Sequence, residues 1–140
     1  MTKAIHRYCP VSPFKMRRYA HMIKGLKADR AKAQLDLHGL PSAEILSKVL
    51  FSAMSNAENN DSIPRDTQVV ANVLIDDGPR YKRMQPSMRG RGLPILKRRC
   101  HVTVVIEAET TIEKANIEKA KRKVAKSKAI KLRLAKVVKV

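Results

Sequence analysis

The apolar positions change rhythm several times along the chain, and each change marks an element. The first ten residues, through Tyr8-Cys9-Pro10, read as a short strand that stops at the proline. Ser12-Pro13 has the form of a helix start, with serine as N-cap and proline at the first helical position, where its missing N–H costs nothing. Met16, Tyr19, Ala20 and Ile23 then recur at helical spacing, while Lys15, Arg17, Arg18, His21 and Lys24 take the remaining faces. A second, shorter helical stretch runs from Lys27 to His38, with Ala31 and Leu35 inward and Gly39 as its stop. After Pro41-Ser42, residues Leu46, Val49, Leu50, Ala53, Met54 and Ala57 fall on one stripe, which predicts the main core helix. The polar run at 56–61 is ill suited to a helix interior and predicts a turn.

From Gln68 to Asp76 the period becomes two. Val69, Ala71, Val73 and Ile75 face one way, with Val70, Asn72 and Leu74 on the other. Later, Cys100, Val102, Val104 and Ile106 alternate with His101, Thr103 and Val105. These runs predict two sheet strands as antiparallel neighbours. Asp77-Gly78-Pro79 has turn chemistry and is expected to close the first of them.

The segment between the strands carries the information about function. Residues 79–99 read PRYKRMQPSMRGRGLPILKRR, with eight Lys/Arg, no acid, three prolines and two glycines. As a ribbon of about ten residues per strand it would reach roughly 30 Å beyond the sheet, at about 3.3 Å per residue. It has no large apolar stripe and repels itself, so its ordered form requires an anionic surface around it. Gly90 and Gly92 suit its tip. Met84 and Met88 sit within it, without the core role expected of Met16 and Met54.

Composition sharpens this picture. The 140 residues carry 30 Lys+Arg against 12 Asp+Glu, a formal charge of +18. That excess calls for a polyanionic partner: nucleic acid is the usual one, acidic lipid the less usual. Residues 113–140 alone hold eleven Lys/Arg against Glu113 and Glu118, so 110–140 is read as a basic C-terminal extension of helix-favouring composition beside a single domain over 1–109. No apolar run approaches the roughly 18 residues of a membrane span, and the N-terminus lacks a secretory apolar core.

Catalytic and metal chemistry find little support. Cys9 and Cys100 belong to no CxxC pattern, and His6, His21, His38 and His101 show no HExxH spacing. Asp76-Asp77 is the only adjacent acidic pair, and neighbours in a strand point to opposite faces, so the pair cannot clamp a metal. The expectation is therefore a non-enzyme without metal or cofactor. No RNP-type aromatic pair, zinc knuckle or GXXG loop offers base reading, so phosphate and shape contacts should dominate.

The order of these parts resembles the bacterial-type L22 proteins of the large ribosomal subunit over roughly residues 5–108. The matching stretches are Ser12-Pro13-Phe14-Lys15-Met16-Arg17-Arg18 with Ile23-Lys24-Gly25-Leu26-Lys27, then residues 48–60, with Glu58-Asn59-Asn60 at their end. They continue in Asp76-Asp77-Gly78-Pro79, Lys82-Arg83, Pro86, Arg89-Gly90-Arg91 and residues 95–105. The resemblance implies an α+β fold, a three-stranded antiparallel sheet packed with three helices, plus a long extended β-hairpin arm over 79–99. It implies a structural constituent of the large subunit that binds 23S-type rRNA and supports subunit assembly. Lys82, Arg83, Arg89, Arg91, Lys97, Arg98 and Arg99 would bind rRNA along the arm, and Lys15, Arg17, Arg18 and Lys24 would hold the body against it. Met84, Gln85, Pro86, Ser87, Met88, Arg89, Gly90, Arg91 and Gly92 would form a tip lining the nascent-peptide exit tunnel, beside large-subunit protein four. Its partners would then be rRNA, neighbouring ribosomal proteins and the nascent peptide, in the cytoplasm or an organelle interior. The rival expectation is a nucleoid or architectural DNA-binding protein, a class that also uses β-arms and basic tails.

Overall fold

A computed structural model describes residues 2–109. The element order is β1 (Thr2–Cys9), α1 (Pro13–Ile23), α2 (Ala28–Leu37), α3 (Pro41–Asp61), β2 (Gln68–Pro86) and β3 (Gly92–Ala108), with short 3-10 turns at Arg65–Thr67 and Met88–Gly90. This is the expected α+β architecture of three helices and a three-stranded sheet. The sheet order is β1-β3-β2, and both outer strands run antiparallel to β3. The basic extension expected at 110–140 lies outside the described residues.

The predicted stripes form the core. Met16, Tyr19, Ala20 and Ile23 of α1, Ala31 and Leu35 of α2, and Leu46, Val49, Leu50, Ala53, Met54 and Ala57 of α3 are all buried. They close over one face of the sheet, where Cys100, Val102, Val104 and Ile106 of β3 are buried. Gly39 adopts φ +56° just past α2, the left-handed turn that favours glycine at a helix end. Cys9 pairs in register with Cys100, and both are buried free thiols. Burial, and then the neighbouring Cys9, push the Cys100 thiol up to about 12, so it stays protonated at neutral pH.

Three local expectations are corrected. The polar run at 56–61 continues α3 to Asp61 instead of turning. Ala57 is buried on the core stripe, and the polar side chains find partners off the helix: Asp61 accepts a hydrogen bond from Thr2 Oγ1, and Glu58 pairs with Arg65 at 2.8 Å. Tertiary contacts thus override the weak helix propensity. The helix stops one residue later at Ser62, which is left-handed with φ 52°.

The alternation along β2 is broken by a bulge between Val70 and Asn72. Val70 therefore joins Val73 and Ile75 on the core side, opposite Ile106, Val104 and Val102. An extra residue in one strand shifts every later side chain by one place. Val69 is buried outside the main core cluster, and its backbone forms an antiparallel bridge with Lys27 in the segment after α1.

Asp77-Gly78-Pro79 is likewise a second bulge within a continuous strand, between Asp77 and Arg80, and not the expected turn. A Cβ on Gly78 would meet the Arg99 carbonyl carbon and oxygen at 3.0 Å. The glycine is needed for close approach of the two backbones, and the turn-like sequence serves to bend the strand.

Candidate nucleic-acid interface

Beyond the second bulge, β2 and β3 leave the body as a two-stranded ribbon, paired from Arg80 opposite Arg98 to Pro86 opposite Gly92. Seven pairs at roughly 3.3 Å per residue give an arm of about 23 Å, shorter than the expected reach because the bulge region still belongs to the sheet. Between residues 79 and 98 only Ile95 is even half-buried. The three prolines are tolerated because no third strand needs their missing N–H groups.

Directly opposed residues share a face of the ribbon. Arg80, Lys82 and Arg98 therefore lie with Met84, Leu96 and Pro94 on one face, and Arg83 and Lys97 lie with Tyr81, Ile95 and Leu93 on the other. Each face mixes cations with exposed apolar side chains, and the opposed pair Arg80–Arg98 is repulsive by itself. The tip is a tight turn in which Arg89 and Gly90 are left-handed, with φ 57° and 72°. The Ser87 N–H donates to the Arg91 carbonyl at 2.7 Å and closes it. Met84 curls its methyl group against Gly92, where a Cβ would stand, while Met88 projects into solvent, 85% exposed.

Of the body cations expected to meet a polyanion, Lys15, Arg18 and Lys24 reach solvent from α1 or its end. Arg17 does not extend freely. Its Nη2 donates to Asp77 Oδ1 at 3.1 Å and to the Ile75 carbonyl at 3.3 Å, fastening α1 to β2. Asp77 also holds Arg80 at 3.7 Å, so the acid assigned by sequence to a turn organises the base of the arm.

Arg99 is half-buried and similarly engaged. It donates to the Tyr8 carbonyl at 3.2 Å and lies 5.4 Å from the Tyr81 ring centre. The other cations at this junction gather around Phe14, with the Arg17 and Arg98 guanidiniums 5.6 and 5.7 Å from its ring centre. Sequence reasoning missed Phe14, Tyr8 and Tyr81. Their signal was an aromatic residue beside each basic cluster in a chain with only 4% aromatic residues. The geometry is thus a body carrying a slender cationic arm, with some arginines spent on the joint and the rest directed outward.

A family model described as ribosomal protein L22p/L17e matches residues 4–107. The chain belongs to that family. Among its relatives is the large ribosomal subunit protein uL22 of Pseudothermotoga lettingae, 40% identical over 106 residues and covering 76% of each chain. The family match spans the basic face of α1 and the whole arm, and it ends before the basic extension. Membership makes the chain a large-subunit ribosomal protein, a structural part of the translation machinery.

Proposed function

We propose that the chain is built into the large subunit by binding 23S-type rRNA, with the arm inserted between RNA segments and the body at its outer end. The observation that carries this is the arm itself: residues 79–98 bury almost nothing, yet carry cations on both faces of the ribbon. A ribbon of this kind is ordered by an anionic sleeve on both sides, which folded RNA supplies. Lys82, Arg83, Lys97 and Arg98 serve phosphate contacts along its length, with Arg89 and Arg91 at the end. Lys15, Arg18 and Lys24 hold the body. Arg17 and Arg99 act by fixing the direction of the arm.

The turn at residues 84–92 faces the nascent-peptide exit tunnel, near large-subunit protein four. Its exposed Met88 and compact backbone suit a wall past which a polypeptide slides. The role is architectural, with no reaction and no cofactor, in a bacterial-type ribosome of the cytoplasm or an organelle. Among the described residues no helix is long and apolar enough to cross a membrane.

Sedimentation of a lysate through a high-salt gradient tests this reading, with the protein followed by mass spectrometry. Stoichiometric migration with the large subunit is expected, since loosely attached cations dissociate at such ionic strength. Recovery at the top, or with DNA, would replace it with the architectural DNA-binding alternative. A photo-crosslinker at Met88 should then label a stalled nascent chain, whereas one at Lys3 on β1 should not.

A further inference from the structure

The chain has two cysteines, and the register of the sheet sets them opposite one another: Cys9, at the end of β1, pairs with Cys100 of β3. Directly opposed residues of antiparallel strands stand about 4.5–5.5 Å apart between Cα atoms, inside the roughly 4.4–6.8 Å that a disulfide spans. Both side chains are fully buried in the core, both thiols are free, and they are hydrogen-bonded to each other. A bond between them therefore requires no displacement of either strand.

The end of β1 is where a reagent can reach this pair. β1 is an edge strand, and its register with β3 shifts between His6 and Cys9. Tyr8, within the shift, is left-handed with φ 58°, a costly conformation for so bulky a residue. Two solvent-exposed hydrogen bonds hold it there. The Tyr8 N–H donates to His101 Nδ1 at 3.0 Å, and Arg99 Nη1 donates to the Tyr8 carbonyl at 3.2 Å. Pro10 follows, with no N–H to extend the ladder. A strained, bulged edge held by exposed bonds opens at lower free energy than the strands behind it. Cys100, on the central strand between β1 and β2, does not share that freedom.

We propose that Cys9 and Cys100 are a reversible redox pair, closed to a cross-strand disulfide by a low-molecular-weight disulfide of the glutathione type, and that the bond clamps the end of β1 to the root of the arm. Cys9 reacts first, when the end of β1 opens. Its sulfur attacks one sulfur of glutathione disulfide, and its proton passes to the glutathione that leaves. As the strand returns, the Cys100 sulfur attacks the Cys9 sulfur of this mixed disulfide and expels the second glutathione, which takes the Cys100 proton. Two protein thiols are oxidised and one glutathione disulfide is reduced to two glutathiones. Burial leaves little Cys100 thiolate at neutral pH, and enforced proximity to the Cys9 sulfur offsets this. The bond lies beside the Arg99 contact to Tyr8 and makes a screened joint covalent. Nothing in this inference depends on the ribosomal reading.

The test incubates the purified, fully reduced chain with glutathione disulfide under native conditions, alkylates the remaining thiols and maps the peptides by mass spectrometry. A linked Cys9–Cys100 peptide should appear as both alkylatable thiols are lost, and dithiothreitol should restore them. The linked chain should melt about 10 °C higher, because the bond closes a long loop of the unfolded chain. Cys100→Ala should stop at one glutathione on Cys9, whereas Cys9→Ala should leave Cys100 unmodified. His101→Phe removes the acceptor for the Tyr8 N–H and should speed linkage about threefold or more without changing the product.

Thiols of the parent chain that stay alkylatable, two glutathiones on one chain, links between chains, or a linked chain that melts no higher would overturn the redox pair. Modification of Cys100 in a cooperatively folded Cys9→Ala chain, or a linkage rate unaltered by His101→Phe, would overturn entry through the end of β1.

Discussion

Strands β2 and β3 each pass through two regions governed by opposite physics. In the body, Val70, Ile75, Val102, Val104 and Ile106 are buried under the helices, and β1 pairs along the other edge of β3. In the arm the same strands continue their ladder without a covering layer, and almost every side chain meets solvent. Charge divides at the same place. Residues 1–78 and 100–109 carry eleven Lys/Arg against ten Asp/Glu, whereas residues 79–99 carry eight Lys/Arg and no acid. Strand pairing is common to both regions, so pairing is not what separates a self-supporting structure from a dependent one. Apolar burial in a second layer stabilises the body, and the arm must obtain its second layer from a partner.

The comparison breaks most easily in the core. Leu50 is fully buried beneath the sheet. Leu50→Ala should cost about 2–5 kcal/mol in urea denaturation, the usual range for a large-to-small change at a packed site. A loss under about 1 kcal/mol would show that the helices do not supply the decisive layer.

The boundary is the next most sensitive place. Gly78→Ala would set a Cβ 3.0 Å from the Arg99 carbonyl. Separating the strands there should cost about 1–3 kcal/mol, as overpacking generally does. Unchanged stability would mean that the second bulge does not depend on that close approach.

A smaller effect is expected at the joint. The Arg17–Asp77 pair is 46% and 47% exposed, so solvent screens it. A double-mutant cycle with Arg17→Met and Asp77→Asn should give a coupling of about 0.2–1 kcal/mol, falling with added salt. A coupling of zero would leave the bond from Arg17 to the Ile75 carbonyl and the packing on Phe14 to hold α1 against the strand.

Most of the body was legible in sequence because burial imposes a period. The stripes of α1 and α3 and the alternation from Cys100 to Ile106 are direct consequences of one-sided packing. Asp77-Gly78-Pro79 was misread because turn residues and bulge residues are the same residues; only the partner strand decides between them. The run at 56–61 was misread for a related reason, since its stability as helix comes from Thr2 and Arg65, distant or downstream in sequence. The arm cations were visible as composition. Which of the cations are free was not, because Arg17 and Arg99 differ from Arg18 and Lys97 only in what stands opposite them.

The smallest expected effect is also the sharpest test of the division. Deleting residues 82–96, which lie between the opposed pair Tyr81 and Lys97, and closing the ribbon with a two-residue turn removes cations and exposed side chains while leaving the core, both bulges and the Arg17–Asp77 pair in place. Exposed positions of this kind contribute little, so the unfolding free energy should change by no more than about 0.5 kcal/mol. Shortening the connection slightly reduces the loop-closure cost, which offsets the few lost ribbon hydrogen bonds. The variant should lose affinity for an rRNA fragment and show a shallower dependence of log K on log salt, because each lost phosphate contact removes about 0.9 from that slope on a duplex. Stability unchanged and salt slope reduced is the signature of an arm that exists for its partner. If the shortened chain unfolds, the body depends on the arm, and the two regions are one cooperative unit despite their different burial.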